Sequence, residues 1–180
     1  MDLTTKYLGL SLRSPLVPSA SPLSEKIENV RAMEQAGAAA VVFYSLFEEE
    51  IDAVAPECRV GPTAYLEHIA QAKRTVGIPI IASLNCTTLG DWLSYARRIT
   101  EAGADALELN IYKIPTRTDV SGSTIENIYI DTVRSVRAAT KIPLAVKLSP
   151  YFCSFANMAA SLNATLRQRP RDWFYRARPS

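Results

Sequence analysis

Histidine is almost missing from this chain: His68 is the single one in 180 residues, so no pair of imidazoles exists to start a metal centre. Cysteine is scarce too. Cys58, Cys86 and Cys153 are odd in number and far apart, which fits reduced thiols rather than a disulfide framework or a zinc site. Charge of one sign is not in excess: Lys plus Arg number 20 and Asp plus Glu 18, a net +2 that marks neither a nucleic-acid surface nor an acidic partner. No apolar run approaches the roughly 18 residues of a membrane span. The start, Met1-Asp-Leu-Thr-Thr-Lys6, has no basic region followed by an apolar one, so no secretory signal is visible and the cytoplasm is the expected location. Only seven glycines occur, and none forms a phosphate loop after a strand, which counts against a Rossmann site.

What is present is ordinary globular composition, 48% hydrophobic and 21% charged, with an internal repeat. Glu34-Gln-Ala-Gly37-Ala-Ala-Ala-Val-Val-Phe-Tyr-Ser45 and Thr100-Glu-Ala-Gly103-Ala-Asp-Ala-Leu-Glu-Leu-Asn110 share one design: a helix end, a glycine stop and an apolar strand. Val76-Gly-Ile-Pro79-Ile-Ile-Ala-Ser-Leu-Asn85 and Thr140-Lys-Ile-Pro143-Leu-Ala-Val-Lys-Leu-Ser149 form a second pair. A period of about 65 residues holding two strands and two helices is a repeated βαβα unit. Strands are expected near 15–20, 39–45, 79–84, 106–111 and 143–148. Helices are expected near 24–36, 63–76, 90–102, 123–139 and 153–163. Five parallel strands in strict alternation with helices make either an open doubly wound sheet or part of an eight-stranded barrel.

Polar residues gather where those strands end: Ser19 and Ser21, Tyr44 and Ser45, Ser83 and Asn85, Asn110 and Tyr112, Lys147 and Ser149. In a barrel this is the face on which sites are built. Lys147 is the sharpest of them, because it interrupts the apolar run Leu144-Ala-Val-Lys-Leu148 of a strand buried on both sides. A lysine there must meet a negative charge or open into a cavity. Cys86, next to Asn85, would also face such a site.

A whole barrel takes about 250 residues. Where a third Ala-Gly-Ala turn and a sixth strand are due, Ala164-Thr-Leu-Arg-Gln-Arg-Pro-Arg-Asp-Trp-Phe-Tyr-Arg-Ala-Arg-Pro-Ser180 brings five arginines and two prolines. The expected organisation is therefore residues 1–163 as the N-terminal part of a TIM barrel and residues 164–180 as an irregular Arg-rich tail. A shifted reading frame or a misplaced gene end explains a composition change in mid-repeat. The competing reading is a basic arm, with Trp173, Phe174 and Tyr175 as a stacking platform for single strands.

Met1-Asp-Leu-Thr-Thr-Lys-Tyr-Leu-Gly-Leu10, Ser14-Pro-Leu-Val-Pro-Ser-Ala-Ser21, Glu108-Leu-Asn-Ile111 and Leu144-Ala-Val-Lys-Leu-Ser-Pro-Tyr-Phe152 together resemble the dihydroorotate dehydrogenase family, nearest its dihydroorotate dehydrogenase-like branch, over about residues 1–163. The resemblance implies a (β/α)8 barrel with FMN over the C-terminal ends of the strands. It implies oxidation of dihydroorotate to orotate in pyrimidine synthesis, a small-molecule substrate with no nucleic-acid or membrane partner, and a homo-oligomer in the full-length form. Lys147 matches a lysine beside the flavin ring whose charge stabilises the anionic reduced flavin. Ser19 and Ala20 match a segment of small residues against the flavin, Ser45 joins them as a cofactor-side residue, and Asn110 matches an asparagine near flavin and substrate.

Departures accompany the matches. The family pattern after the asparagine is Leu-Ser-Cys-Pro-Asn, whose cysteine, serine in membrane-associated relatives, is the base. This chain has Ile111-Tyr112-Lys113-Ile114-Pro115. Tyr44 stands where another lysine is expected, and Phe47-Glu-Glu-Glu-Ile51, placed where asparagines should meet orotate, would repel an anion. Besides the FMN oxidoreductase, two alternatives follow from the residues: a Schiff-base lyase or aldolase using Lys147 as its amine, and an inactive fragment or binding module. With its phosphate-binding loops after strands 7 and 8 absent, the chain ending at Ser180 is expected to hold FMN loosely and to self-associate.

Overall fold

The computed structural model describes residues 1–47, 62–114, 116–167 and 175–177. The chain enters through an antiparallel hairpin, β1 (Thr5–Tyr7) and β2 (Leu10–Leu12). Its two-residue turn needs positive φ at both positions, and Leu8 at 53° takes one of them beside Gly9 at 72°. Leucine tolerates this conformation because its side chain is fully buried, so burial offsets the backbone strain. Nothing in the sequence reading placed this hairpin.

The remainder alternates as expected: a 3-10 turn (Pro22–Glu25), α1 (Ile27–Gln35), β3 (Val41–Phe47), α2 (Pro62–Thr75), β4 (Ile80–Asn85), α3 (Leu89–Glu101), β5 (Ala106–Asn110), α4 (Gly122–Ala139), β6 (Leu144–Leu148), α5 (Phe155–Arg167) and β7 (Tyr175–Ala177). Strands β3 to β7 form one five-stranded sheet in sequential order, all neighbours parallel. The repeat survives in the backbone. After α1, Gly37 turns at φ 103° and the Ala38 N–H donates to Met33 O; after α3, Gly103 turns at φ 94° and the Ala104 N–H donates to Ile99 O. That six-to-one bond closes a Schellman motif, and the positive φ is what requires glycine at each site. Arg13 reinforces the first stop by donating to both Glu34 O and Ala38 O at 2.7 Å.

Two expectations change. The first strand, near 15–20, does not form as a strand, although Leu16 O and Pro18 O accept hydrogen bonds from Ala39 N and Val42 N alongside β3. Pro15 and Pro18 have no N–H to return, so only half a ladder is made. The tail after residue 163 is not wholly irregular: α5 runs on to Arg167, and Tyr175–Ala177 pairs with Val146–Leu148. The open edge of β6 carries backbone groups that any three-residue extended segment can satisfy, whatever its side chains.

The two faces of the sheet are covered differently. On one, Val41, Phe43, Leu46, Ile80, Leu84, Leu107, Leu109, Leu144, Val146 and Leu148 pack with buried residues of all five helices, among them Val30, Ile69, Ile99, Val133 and Leu162. On the other, Ala39, Ala40, Val42, Ile81, Ala106 and Ala145 form a smaller cluster with Leu8 and Leu12 of the hairpin. Alanines there leave room for the two leucines, and no helical residue enters that cluster among the described residues.

Candidate functional site

Further along the strands, the hairpin face turns polar. Strand alternation carries Ile81 to Ser83, Ala106 to Glu108 and Asn110, and Ala145 to Lys147 on that face, moving from the N-terminal toward the C-terminal ends. Strand β3 needs a further device. Its register against β4 slips between Val42 and Ser45, and both Phe43 and Tyr44 pack on the helix side. This bulge turns Ser45 to the hairpin face, opposite Ser83, where strict alternation would have put Tyr44. The backbone of β4 facing the bulge is satisfied by a side chain instead: the Tyr65 hydroxyl accepts from Ser83 N at 3.0 Å and donates to Ser83 O at 3.1 Å. Tyr44 N in turn donates to Ser24 Oγ at 2.7 Å.

Five side chains from four strands then join. Asn110 Nδ2 donates to Ser45 Oγ at 3.3 Å, the Ser45 and Ser83 hydroxyls are 2.8 Å apart, Ser83 Oγ donates to Glu108 Oε1 at 3.4 Å, and Lys147 Nζ lies 3.1 Å from the same Oε1. The Ser45–Ser83 bond has no direction of its own. Glu108 supplies one, because an ionised carboxylate only accepts. Ser83 therefore donates to Glu108, Ser45 donates to Ser83, and Asn110 donates to Ser45. Every proton in the row points toward the carboxylate, and neighbouring bonds polarise one another in this direction.

Glu108 is 2% exposed, while the side chains of the pair are 12% exposed for Lys147 and 3% for Glu108. The lysine is thus the more accessible partner of the pair. Removing one partner from such a pair typically costs about 3–5 kcal/mol, because the other charge stays buried alone. Above the row, the loops after β5 and β6 are tied by Tyr129, itself 1% exposed. Its hydroxyl accepts from Lys113 N at 3.0 Å, and its ring meets Phe152 edge-on at 5.3 Å between centroids. Burial above all pushes the Tyr129 hydroxyl above its ordinary pKa, opposed by the bonds to Lys113 and Ser149.

Of the residues expected at the site, Ser45, Asn110 and Lys147 come together, and Ala20 packs half-buried against the hairpin cluster. Ser19 is exposed and takes no part in the row. Cys86 does not face the site: one residue past Asn85, it falls on the helix side and is buried there. His68 lies against the Phe43 ring, with Nε2 2.7 Å from Ser24 O. Tyr112 and Lys113 are both exposed. Glu48–Glu50, Cys58, Trp173 and Phe174 lie outside the described residues. Ser83 was named only among the strand-end polar residues and Glu108 was not picked out for the site, although a signal existed: each lies two residues before a strand-end asparagine and so on the same face.

No family model matches the chain. Catalytic subunits of NAD(+)-dependent dihydroorotate dehydrogenase B do: that of Thermoplasma acidophilum is 28% identical over 169 residues, covering 83% of this chain and 55% of the relative. The Anoxybacillus flavithermus subunit is 24% identical over 178 residues, covering 89% and 57%. The chain thus spans little more than half the length of these relatives. Among solved structures, a putative dihydrodipicolinate synthetase from Pseudomonas aeruginosa matches with a TM-score of 0.60 at 13% identity, over 84% of this chain and 52% of that one. Dihydrodipicolinate synthase from Aquifex aeolicus matches with 0.57 at 14%, over 83% and 50%. At such identities these two speak for the α/β fold alone. In sequence, the chain is similar at modest identity, over most of its own length, to the catalytic subunits of dihydroorotate dehydrogenase B.

Proposed function

We propose that this chain is part of an FMN-dependent oxidoreductase of the dihydroorotate dehydrogenase type, acting on the CH–CH bond of a small dihydropyrimidine, and that its sheet is part of a (β/α)8 barrel. Among the described residues, helices on one face only, with a hairpin and small residues on the other, support a sheet curving toward closure over a doubly wound one. The observation that carries the functional reading is the polar row ending in Lys147 at the C-terminal side of the strands.

The residues fit the cofactor. A planar ring needs small neighbours and hydrogen-bonding groups along its edge, and Ala20, Asn110 and Lys147 offer them on one face. Bound FMN would supply the hydride-accepting ring. Lys147 would present a fixed positive charge to it, and Asn110, its amide oriented by Ser45, would hold ring or substrate. The base stays unassigned, because Tyr112 and Lys113 are exposed and the family's cysteine is absent.

FMN fluorescence, followed while the chain is titrated, tests this. Quenching is expected in the native protein, and in Lys147→Ala the reduction of the bound flavin by substrate should slow about 10²–10³-fold, since one positioned group at developing charge is worth on the order of 2.7–4 kcal/mol. Dihydroorotate should then bleach the bound flavin under anaerobic conditions. A reduction rate that ignores Lys147, or no quenching even at FMN concentrations high enough for loose binding, removes the flavin reading. A second reading, Lys147 as a Schiff-base amine, draws on its place at a strand end, in one row with the Ser45 and Ser83 hydroxyls. Borohydride trapping on Lys147 with a carbonyl substrate would favour it.

A further inference from the structure

Lysine can serve a site in two incompatible ways: as an ammonium it supplies charge and three donors, and as a free amine it is a nucleophile. The surroundings of Lys147 decide between them. Glu108 enters from β5, 3.1 Å away and almost wholly buried. Asn110 stands opposite Lys147 in the β5–β6 register, and Ser45 and Ser83 complete the row as neutral groups. Arg176 holds the matching register position on β7. Glu108 has no competing cation among the described side chains, and its Oε1 is shared only between Ser83 and Lys147.

We propose that Glu108 is the positioning residue of this site: it holds Lys147 as a fixed ammonium and orients the row back to Asn110, so that Lys147 acts as a charge and donor and not as a nucleophile. This deepens the oxidoreductase reading, which needs a charge beside the ring, yet it concerns the amine itself and can be tested without flavin. It also assigns a cost to the arrangement. The lysine charge is partly cancelled by its own partner, so what reaches a ligand is a directed donor more than a bare cation.

Reductive methylation with formaldehyde and dimethylamine-borane reads the free amine directly. The amine condenses with formaldehyde, releasing water, and borane hydride reduces the iminium; peptide mass spectrometry then gives a rate for each lysine. At neutral pH, Lys147 of the native chain should react far more slowly than the exposed Lys6, Lys26 and Lys113. Glu108→Gln, nearly the same shape without the charge, should speed Lys147 by about tenfold or more, because the ammonium loses the carboxylate 3.1 Å away that holds it. Glu108→Asp should restore most of the protection, which a shape effect alone would not do. Circular dichroism confirms that each variant is folded; should Glu108→Gln not fold, the native ranking of Lys147 and its value in Glu108→Asp decide. Equal rates in native protein and Glu108→Gln, or a native Lys147 as reactive as the exposed lysines, overturn the proposal. Loss of FMN binding with the methylation pattern intact would sink the flavin reading and leave this inference standing.

Discussion

Tyr129 shows how one residue can hold two loops and report on itself. It sits beneath the segments after β5 and β6, takes the Lys113 N–H, and has the Ser149 hydroxyl beside it. Because burial raises its pKa above the ordinary 10.0, the folded state keeps the phenol proton at a pH where the unfolded chain has lost it. The sign follows: its contribution to stability is complete below about pH 10 and is lost as pH rises through the folded value. The urea midpoint of the native protein should therefore fall more steeply above pH 10 than that of Tyr129→Phe. Parallel curves for the two proteins would show that the hydroxyl is not held as described. At this scale Lys147 was legible, since a charge inside an apolar strand demands a partner. Glu108 as that partner was not, because a strand glutamate two residues before an asparagine also reads as part of a motif.

Among the elements, β3 departs most from its sequence pattern. A run of Val-Val-Phe-Tyr-Ser-Leu-Phe has no period that assigns faces, and the bulge at Phe43–Tyr44 settles them. Its stability depends on a residue from another element, the Tyr65 hydroxyl, which stands in for the missing strand backbone. Tyr65→Phe keeps the ring in the core and its edge-on contact with Tyr44, 5.0 Å away, but leaves Ser83 N–H and C=O without that hydroxyl. The expected cost is about 1–3 kcal/mol, seen as a lower urea midpoint with unchanged slope. An unaltered midpoint would mean that β3 closes against β4 without it. Helices were the easier elements, because their stops are local: Gly37 and Gly103 sit where a left-handed residue must follow the last turn.

At the scale of the molecule, the hairpin is the cover of one face of the sheet. Leu8 and Leu12 are buried against Ala39, Ala40, Val42, Ile81, Ala106 and Ala145, and no helix serves that cluster among the described residues. A chain lacking residues 1–12 should expose this apolar floor, bind the dye ANS and elute earlier than the intact protein in gel filtration. Elution and dye binding like those of the intact chain would show that the floor is closed by something else. None of the helices among the described residues is long and apolar enough to cross a membrane.

The sequence by itself determined the alternation of strands and helices, the glycine stops, the repeat of about 65 residues and the presence of a lysine that needed a partner. All of these rest on short-range physics: hydrophobic periodicity, backbone φ, and the cost of burying charge. Tertiary structure alone decided three things. It made Leu8 the plug of the hairpin face, paired Tyr175–Ala177 with β6, and bulged β3 so that Ser45 joins Asn110, Ser83, Glu108 and Lys147. Each depends on groups far apart in the chain meeting across a sheet, where register, unpaired backbone and the volume left by alanines choose among arrangements that local sequence allows equally.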